Sequence, residues 1–347
     1  MARIILSDLP QKWILRLRRF LLLGWVLFNT IGTSSLAQGS FYKGITLAAP
    51  EKPFQAQPLQ TIQSLGATSV AIIPFGFIRP GNHKVEFNLT PWQWWGETVE
   101  GVEETIRRAH KAGLSVLLKP QIYIPGDWIG SYRPGNAKEW NEFIQSYRNY
   151  ILTFLHLAEK YGVEMVCLGT EMKSILKSDE EWFEKLICDA REMYQGKLTY
   201  AANWDEYQSI SFWDRLDYLG INAYFPLCET NCLWDSITQE LEQSSQLWQK
   251  DILFTEYGYL SVEDCLEPTW ELEKQIHQKK VDEECQKMAL EQVWTSLGNK
   301  EWWAGGFIWK WFPEGMGHEG YVDKDYTPQG KLAEESLRQF FQSTNRK

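Results

Sequence analysis

Residues 99–121 read VEGVEETIRRAHKAGLSVLLKPQ, a helical pattern followed by a strand pattern. Val102, Ile106 and Ala109 recur at helical spacing, and charged side chains lie largely on the opposite face. Gly113 is a helix stop, and the short apolar run that starts at Ser115 suits a buried strand. The stretch therefore predicts a helix over 99–112 that a short turn joins to a strand.

The same alternation of strand and helix patterns recurs along the chain after residue 40. Short apolar runs rich in β-branched residues alternate with longer amphipathic stretches, which is typical of βα units around a parallel sheet. Further helix stops stand before the next strand at 161–162 and 195–196. Eight strands are predicted, over residues 42–47, 69–75, 115–121, 164–170, 197–203, 218–222, 252–256 and 305–309.

Eight such units predict one (β/α)8 TIM barrel, because no linker-like stretch or charge block divides residues 40–345. A doubly wound open sheet is the alternative, but no Gly-rich turn follows the first strand. Long loops are expected after the third, sixth, seventh and eighth strands, on the C-terminal face where barrel enzymes place their sites. The longest, residues 257–282, is either a lid over the substrate or a variable insertion.

The N-terminus has the pattern of a targeting segment. Four basic residues precede an apolar run from Phe20 to Phe28, and small residues follow up to Ala37. This predicts a signal peptide over 1–37, a catalytic domain over 38–347, and a protein that is secreted or periplasmic. The apolar run is shorter than the roughly 20 residues that span a membrane, so a retained anchor is the less favoured reading.

The charge and aromatic content narrow the kind of partner. A net charge of −10 argues against nucleic acid, whose binding requires basic residues that neutralise phosphates. The chain has 18 Trp, 15 Tyr and 17 Phe, whose rings either fill a core or stack on sugar rings. A neutral polysaccharide or oligosaccharide is the partner that fits both observations.

Six cysteines allow 15 full pairings, and the sequence does not choose among them. Loop positions favour Cys228 with Cys232 and Cys265 with Cys285, whereas Cys167 and Cys188, in a predicted strand and helix, are expected to be free and buried. No CxxC or HExxH motif occurs and the five His are scattered, so neither a metal site nor a cofactor is expected.

Two predicted strands, the fourth and the seventh, end on glutamates, Glu171 and Glu256. Regular alternation would put Glu171 on one face with Cys167 and Gly169, and Glu256 on one face with Ile252 and Phe254, aimed into the barrel mouth. Strands four and seven lie nearly opposite each other, and glycoside cleavage needs two carboxyl groups that flank the bond. Either glutamate by itself is more often a helix-cap partner or an ion-pair member, so the pair is the stronger evidence.

The strand ends carry a resemblance. The motifs are Gly169-Thr170-Glu171, Asn222-Ala223-Tyr224, Thr255-Glu256-Tyr257-Gly258 and Trp309, together with Lys119-Pro120-Gln121 and Asn203-Trp204. As a set over residues 41–342 they resemble the clan A glycoside hydrolases, and most of all glycoside hydrolase family 113. The resemblance implies a retaining mechanism with Glu171 as acid/base and Glu256 as nucleophile, and substrates of the β-1,4-mannan type.

The resemblance also assigns supporting residues. Many clan A enzymes have an Asn at the position of Thr170, and that Asn holds the substrate 2-hydroxyl. The Thr170 hydroxyl would make the same contact with a shorter reach. Tyr224 would donate a hydrogen bond to Glu256, or else its ring would pack against neighbouring residues while its hydroxyl contacts water. Trp309 would stack under the sugar ring at the cleavage point. Further candidates for sugar contact are Trp204, Trp311, Asn203, Gln121 and Lys119. Instead of contacting a sugar, Lys119 could pair with an acidic residue inside the barrel, and Trp311 could pack in the core.

Three alternatives to a β-mannan hydrolase stay open on sequence grounds. One is a hydrolase or transglycosylase on another β-glycan, because clan A enzymes share the glutamate pair. Another is a carbohydrate-binding or scaffold barrel without turnover, which would have no need of facing carboxylates. A metal-dependent hydrolase is disfavoured by the scattered His residues.

Overall fold

The structure, a computed structural model, describes residues 41–89, 92–227, 234–314 and 323–344. The strands in chain order are β1 (Tyr42–Leu47), β2 (Ser69–Ile72), β3 (Phe75–Phe77), β4 (Ser115–Leu118), β5 (Gln121–Tyr123), β6 (Met165–Thr170), β7 (Lys197–Asn203), β8 (Leu219–Asn222), β9 (Ile252–Tyr257) and β10 (Trp303–Trp311). Eight of them close into a parallel barrel in the order β1-β2-β4-β6-β7-β8-β9-β10. The predicted (β/α)8 barrel is therefore confirmed.

Helices surround the barrel. They are α1 (Pro58–Ser64), α2 (Val99–Lys111), α3 (Ala137–Tyr161), α4 (Lys173–Ser178), α5 (Glu181–Met193), α6 (Trp234–Trp248), α7 (Thr269–Lys274), α8 (Glu283–Leu297) and α9 (Leu332–Ser343). None of the helices in the described residues is long and apolar enough to cross a bilayer. Phe41–Arg346 forms one compact unit, and the predicted boundary at 37/38 lies outside the described residues.

Helix ends follow their capping residues. The Thr98 side chain accepts a hydrogen bond from the Gly101 amide at the start of α2, which matches the predicted helix within one residue. Gly162 ends α3 in a left-handed conformation, φ 66°, as expected. The stop predicted at 195–196 falls too late, because α5 ends at Met193. Tyr194 leaves the helix in an extended conformation and donates its hydroxyl proton to the Val163 carbonyl at 2.6 Å.

Prolines divide two of the predicted strands. The stretches expected at 69–75 and 115–121 leave the barrel at Ile72 and Leu118, shortly before Pro74 and Pro120. Proline has no amide hydrogen to donate to a neighbouring strand, so the barrel ladder ends there. After the prolines the chain pairs again as β3 and β5, a separate two-stranded parallel sheet at the barrel mouth.

The apolar residues form two layers. Inside the barrel lies a small cluster to which most strands contribute one or two side chains, including Leu117, Cys167, Leu253 and Phe307. A much larger cluster fills the space between the barrel and the helices. Gly44 is required in the inner layer, because a Cβ there would meet the Phe307 ring at 2.4 Å.

The cysteines agree with most of the expectations. Cys265 and Cys285 form a disulfide that joins the loop after β9 to the first turn of α8. Cys167 is free and buried, as expected, whereas Cys188 is free but exposed, because it lies on the solvent side of α5. The predicted pair Cys228 and Cys232 lies outside the described residues.

Candidate active site

Three donors surround the carboxylate of Glu256, near the end of β9. Lys119 and Gln121 both donate to Oε1, the latter at 2.5 Å, and Tyr224 donates its hydroxyl proton to Oε2 at 3.0 Å. Lys119 is 0% exposed and forms a buried ion pair with this carboxylate. A charge removed from water is tolerable when it is paired and hydrogen-bonded in this way, so the environment favours an ionised Glu256.

Glu171, directly after β6, has a different environment. Asn222 Nδ2 donates to its Oε1 at 2.9 Å, and the Trp128 indole donates to Oε2 at 2.6 Å. Burial raises the pKa of Glu171, the negative charge of Glu256 raises it further, and these two hydrogen bonds oppose the rise. Asn222 is itself oriented, because its Oδ1 accepts a hydrogen bond from Thr255 Oγ1 at 2.9 Å.

β-Bulges, and not regular alternation, aim both glutamates at the barrel mouth. The pairing of β6 with β7 shifts by one residue between Cys167 and Thr170, and that of β9 with β8 shifts at Thr255. The shared faces predicted from sequence are therefore wrong for Gly169, Ile252 and Phe254, whereas Cys167 does lie inside the barrel. A Cβ at Gly169 would meet Phe183 and Tyr147 of the surrounding helices. Ile252 and Phe254 likewise belong to the outer apolar layer.

The backbone at Glu171 is held in a strained conformation, with φ 51°, which non-glycine residues rarely adopt. Its amide donates to the Ala201 carbonyl at 2.8 Å. The next amide, of Met172, donates to the Tyr200 hydroxyl at 2.7 Å, and Tyr200 donates to the buried Glu206 at 3.0 Å. These contacts fix the direction in which the Glu171 side chain leaves the chain. Burial raises the pKa of Glu206 to about 7.

Two adjoining cavities lie on the C-terminal face, and both glutamates line each of them. The outer cavity has a volume of about 580 Å³ and is lined by side chains that include Asn203, Trp204, Asp205, Tyr224, Trp270, Trp309 and Tyr326. The inner cavity, of about 200 Å³, reaches Gln121, Thr170 and Asn222. Together they form one cleft that passes over the two carboxylates, with room for more than one sugar ring.

Aromatic rings border this cleft. Trp309 lines both cavities, and the rings of Trp204 and Trp270 stack in parallel, 8° apart, with centroids at 5.8 Å. Trp128 is 41% exposed although its indole nitrogen binds Glu171. Flat apolar faces beside polar groups suit the alternating C–H and hydroxyl surfaces of sugar rings. Trp311, the further candidate, is instead buried in the outer apolar layer.

The remaining predicted residues have the following places. Asn203 lines the outer cavity, where its side chain donates to Asp205 at 3.1 Å and accepts from the Trp204 amide. Thr170 is buried at the wall of the inner cavity. Lys119 lies below the cleft and pairs with Glu256, which was the alternative to a sugar contact. No group of three or more His, Cys, Asp or Glu able to hold a metal occurs within the described residues.

A family model decides where the chain belongs. The model of Glycoside Hydrolase Family 113 matches residues 51–331, well over half of the 347 residues. The chain belongs to glycoside hydrolase family 113. It is therefore a glycoside hydrolase, and its substrate is a carbohydrate. No curated protein gives a significant sequence match.

Solved structures of the family share the fold of this member. A family 113 β-mannanase from Alicyclobacillus acidocaldarius, in complex with ManMIm, is 22% identical with a TM-score of 0.76, and the match covers 88% of this chain and 98% of that one. Another family 113 β-1,4-mannanase is 24% identical with a TM-score of 0.74 over 88% and 99%. A more distant match is a fungal β-1,4-galactanase, at 15% identity and a TM-score of 0.57 over 82% and 90%.

Sequence reasoning missed four residues of the family 113 cleft. Asn222 was noted only as part of a motif, and Trp128, Trp270 and Asp205 were not singled out. Trp128 lies in the loop after β5 and Trp270 on the short helix α7 after β9, in segments that were predicted to border the site. A tryptophan in such a loop is the signal that would have identified them.

Proposed function

We propose that this protein is a retaining β-1,4-mannan hydrolase in which Glu171 is the acid/base and Glu256 the nucleophile. The observation that supports this best is the difference between the two carboxyl environments. Three donors, one of them a buried ammonium group, favour the charged form of Glu256. Burial and the charge of Glu256 favour the protonated form of Glu171. Pairs of carboxyl groups with such opposed environments divide the acid and nucleophile roles.

In the first step, a carboxylate oxygen of Glu256 bonds to the anomeric carbon as the glycosidic C–O bond breaks. The departing oxygen keeps the bonding electrons and takes the proton of Glu171. In the second step, ionised Glu171 accepts a proton from water, whose oxygen attacks the anomeric carbon. The ester bond to Glu256 breaks, which restores both carboxyl groups and leaves the product with its original anomeric configuration.

Side chains beside the two glutamates would hold the sugar at the cleavage point. The Asn222 amide can reach both Glu171 and a hydroxyl on the bound sugar, because it lies in the inner cavity beside Thr170. We expect Thr170 and Asn222 together to contact the 2-hydroxyl. Tyr224 and Trp309 would hold the sugar at the cleavage point from the side and from below.

The substrate proposal rests on membership of family 113 and on the β-mannanases among its solved structures. The test is release of reducing sugar from mannan, glucomannan, xylan, β-glucan and galactan. Glu256→Ala should abolish the activity, and Glu181→Ala, at an exposed position on α5, should keep it. Activity on another glycan would replace the substrate, and binding without turnover by the wild type would favour a carbohydrate-binding barrel.

The two roles are separated by stereochemistry and azide rescue. Proton NMR of the first product should show the β-anomer. Glu171→Ala on an activated aryl β-mannoside should be accelerated by azide to give the β-azide, because the covalent intermediate still forms. Azide with Glu256→Ala should give the α-azide through a single inversion. The reverse pattern would exchange the two assignments.

We also propose that the protein is exported and that its signal peptide is removed after Ala37. The disulfide between Cys265 and Cys285 supports an oxidising compartment. Mass spectrometry of the protein recovered from the source cells should give a mature chain that starts at Gln38. An intact N-terminus in the membrane fraction would indicate a retained anchor instead.

A further inference from the structure

Glu206 is a buried carboxyl group that the proposed reaction does not use. It lies in the turn that follows β7, is 2% exposed and lines neither cavity of the cleft. Its Oε1 accepts a hydrogen bond from the Tyr200 hydroxyl at 3.0 Å, and its Oε2 accepts one from the Asn203 amide at 3.2 Å. Removing a carboxyl group from water costs free energy even when it is hydrogen-bonded, so a glutamate buried in this way is unusual.

The backbone on each side of Glu171 is held by β7. The Glu171 amide donates to the Ala201 carbonyl at 2.8 Å, and the next amide, of Met172, donates to the Tyr200 hydroxyl at 2.7 Å. Peptide units are planar, so fixing the units before and after one Cα atom sets both φ and ψ of that residue. With them it sets the direction of the side chain. A φ of 51° is unfavourable for glutamate, so contacts have to maintain it.

Tyr200 is a rigid anchor for the Met172 amide. Its ring is fully buried in the apolar layer between the barrel and the helices. It packs edge-on against Phe183 of α5 and against Phe212, with ring centroids 5.4 and 5.7 Å away. Its hydroxyl oxygen accepts from Met172 while its proton is donated to Glu206, so both sides of the hydroxyl group are used.

Glu206 is itself fixed at its backbone. Its amide donates to the Asn203 carbonyl at 2.9 Å, and its carbonyl accepts hydrogen bonds from the amide and the hydroxyl of Ser209. Its carboxyl group therefore joins the backbone behind Glu171 to Asn203, which lines the outer cavity. The ion pair of Lys173 with Asp205 joins the same two segments, but both side chains are partly exposed, and water weakens such pairs.

We propose that Tyr200 and Glu206 are positioning residues that hold Glu171 in place for proton transfer. The inference rests on the proposed function, in which Glu171 is the acid/base. Both residues are buried behind the cleft and act through the Met172 amide. Without the Tyr200 hydroxyl this buried amide has no acceptor, so the backbone turns and the Glu171 carboxyl group moves away from the departing oxygen.

The test compares two aryl β-glycosides of the sugar that the wild type cleaves. A 2,4-dinitrophenyl leaving group departs without protonation, whereas a phenyl leaving group needs the proton of Glu171. Tyr200→Phe removes only the hydroxyl, so the ratio of kcat/KM for the phenyl over the dinitrophenyl glycoside should fall about 10-fold or more. Loss of folded protein lowers both values by the same factor and leaves their ratio unchanged. An unchanged ratio in Tyr200→Phe overturns the proposal.

Tyr194→Phe is the matched control. Tyr194 is also buried and donates its hydroxyl proton to a backbone carbonyl, that of Val163, but at the opposite end of the barrel strands. Its ratio should equal that of the wild type. The same fall in Tyr194→Phe as in Tyr200→Phe would show a general effect of lost tyrosine hydroxyls and would also overturn the proposal.

Two variants of Glu206 test its part. Glu206→Leu removes both acceptors, so the ratio should fall about 3-fold or more, because the Tyr200 hydroxyl loses the group that orients it. Glu206→Gln keeps a carbonyl acceptor and the shape of the side chain, so its ratio should lie closer to that of the wild type. A wild-type ratio in Glu206→Leu would overturn the role of Glu206.

Glu171→Ala distinguishes a failure of this inference from a failure of the proposed function. It should lower the same ratio by at least about 100-fold, because the acid itself is gone. If it leaves the ratio unchanged, or if the wild type cleaves neither glycoside, the proposed function fails and this inference falls with it. A large fall in Glu171→Ala without a fall in Tyr200→Phe overturns the positioning role alone.

Discussion

The indole nitrogen of Trp128 donates a hydrogen bond to Glu171 Oε2 at 2.6 Å. Trp128 comes from the loop after β5, whereas Glu171 follows β6, so two separate βα units build this contact. The donor stabilises the ionised form of Glu171, against the burial that favours the protonated form. The indole therefore tunes the group that we propose as the acid.

Trp128→Phe should shift the pH profile of kcat/KM. A general acid is active while protonated, so activity falls as the pH rises through its pKa. Loss of the indole donor raises the pKa of Glu171, so the alkaline limb should move to higher pH. Trp92→Phe, at an exposed tryptophan with no contact to Glu171, is the control. A limb that stays in place or moves to lower pH would contradict the assignment.

Lys119→Met should abolish turnover as well as reduce stability. It leaves the Glu256 charge buried without its partner, a change that costs about 3–5 kcal/mol and removes the charge pairing that orients the carboxylate. We expect kcat/KM to fall at least about 100-fold. Lys331→Met is the matched control, since Lys331 also forms a buried ion pair, with Asp325 at 2.6 Å. The Tm of both variants should fall, but the folded fraction of Lys331→Met should keep the turnover of the wild type.

Removal of the disulfide should affect the cleft through the segment between β9 and α8, whose helix α7 carries Trp270. The Cys265→Ser/Cys285→Ser double variant releases a crosslink over a sequence separation of 20 and should lose about 3 kcal/mol of stability. Because Trp270 stacks on Trp204 at the rim, KM for the polymer should rise more than KM for an aryl monosaccharide. Cys188→Ser, at the free exposed cysteine, should change neither. Equal changes of KM for the two substrates would show that the segment held by the disulfide does not contribute specifically to polymer binding.

Stability should fall as the pH rises from about 4.5 to about 7. Burial raises the pKa of Glu206 from 4.5 to about 7, so the folded state binds a proton that the unfolded state has released in this window. The stabilising proton is fully present below pH 4.5 and is lost as the pH passes 7. Glu206→Gln should flatten this part of a Tm-against-pH curve, and Glu181→Gln, at an exposed glutamate, should not. An unchanged slope in Glu206→Gln would contradict the shift.

The strands, their order and the two glutamates were predictable because each rests on local pattern. Apolar runs and helix stops placed every barrel strand, and the strand ends exposed Glu171 and Glu256. The direction of those side chains was predicted correctly for a wrong reason. Side chains alternate between the two faces within a regular strand, but a β-bulge inserts one extra residue and reverses the alternation after it. Whether a bulge forms depends on pairing with the neighbouring strand, so the sequence of one strand does not predict it.

The sequence by itself determined the barrel, its apolar faces and the carboxyl pair at the C-terminal ends of strands. The tertiary structure alone decided which partners each carboxyl group has: Lys119, just after β4, pairs with Glu256, and Trp128, in the loop after β5, donates to Glu171. Hydrophobic periodicity is visible among residues that are close in the chain, so it can be recognised in the sequence. The pKa of a buried group and the shape of a pocket depend on residues far apart in the chain, which meet when the barrel closes.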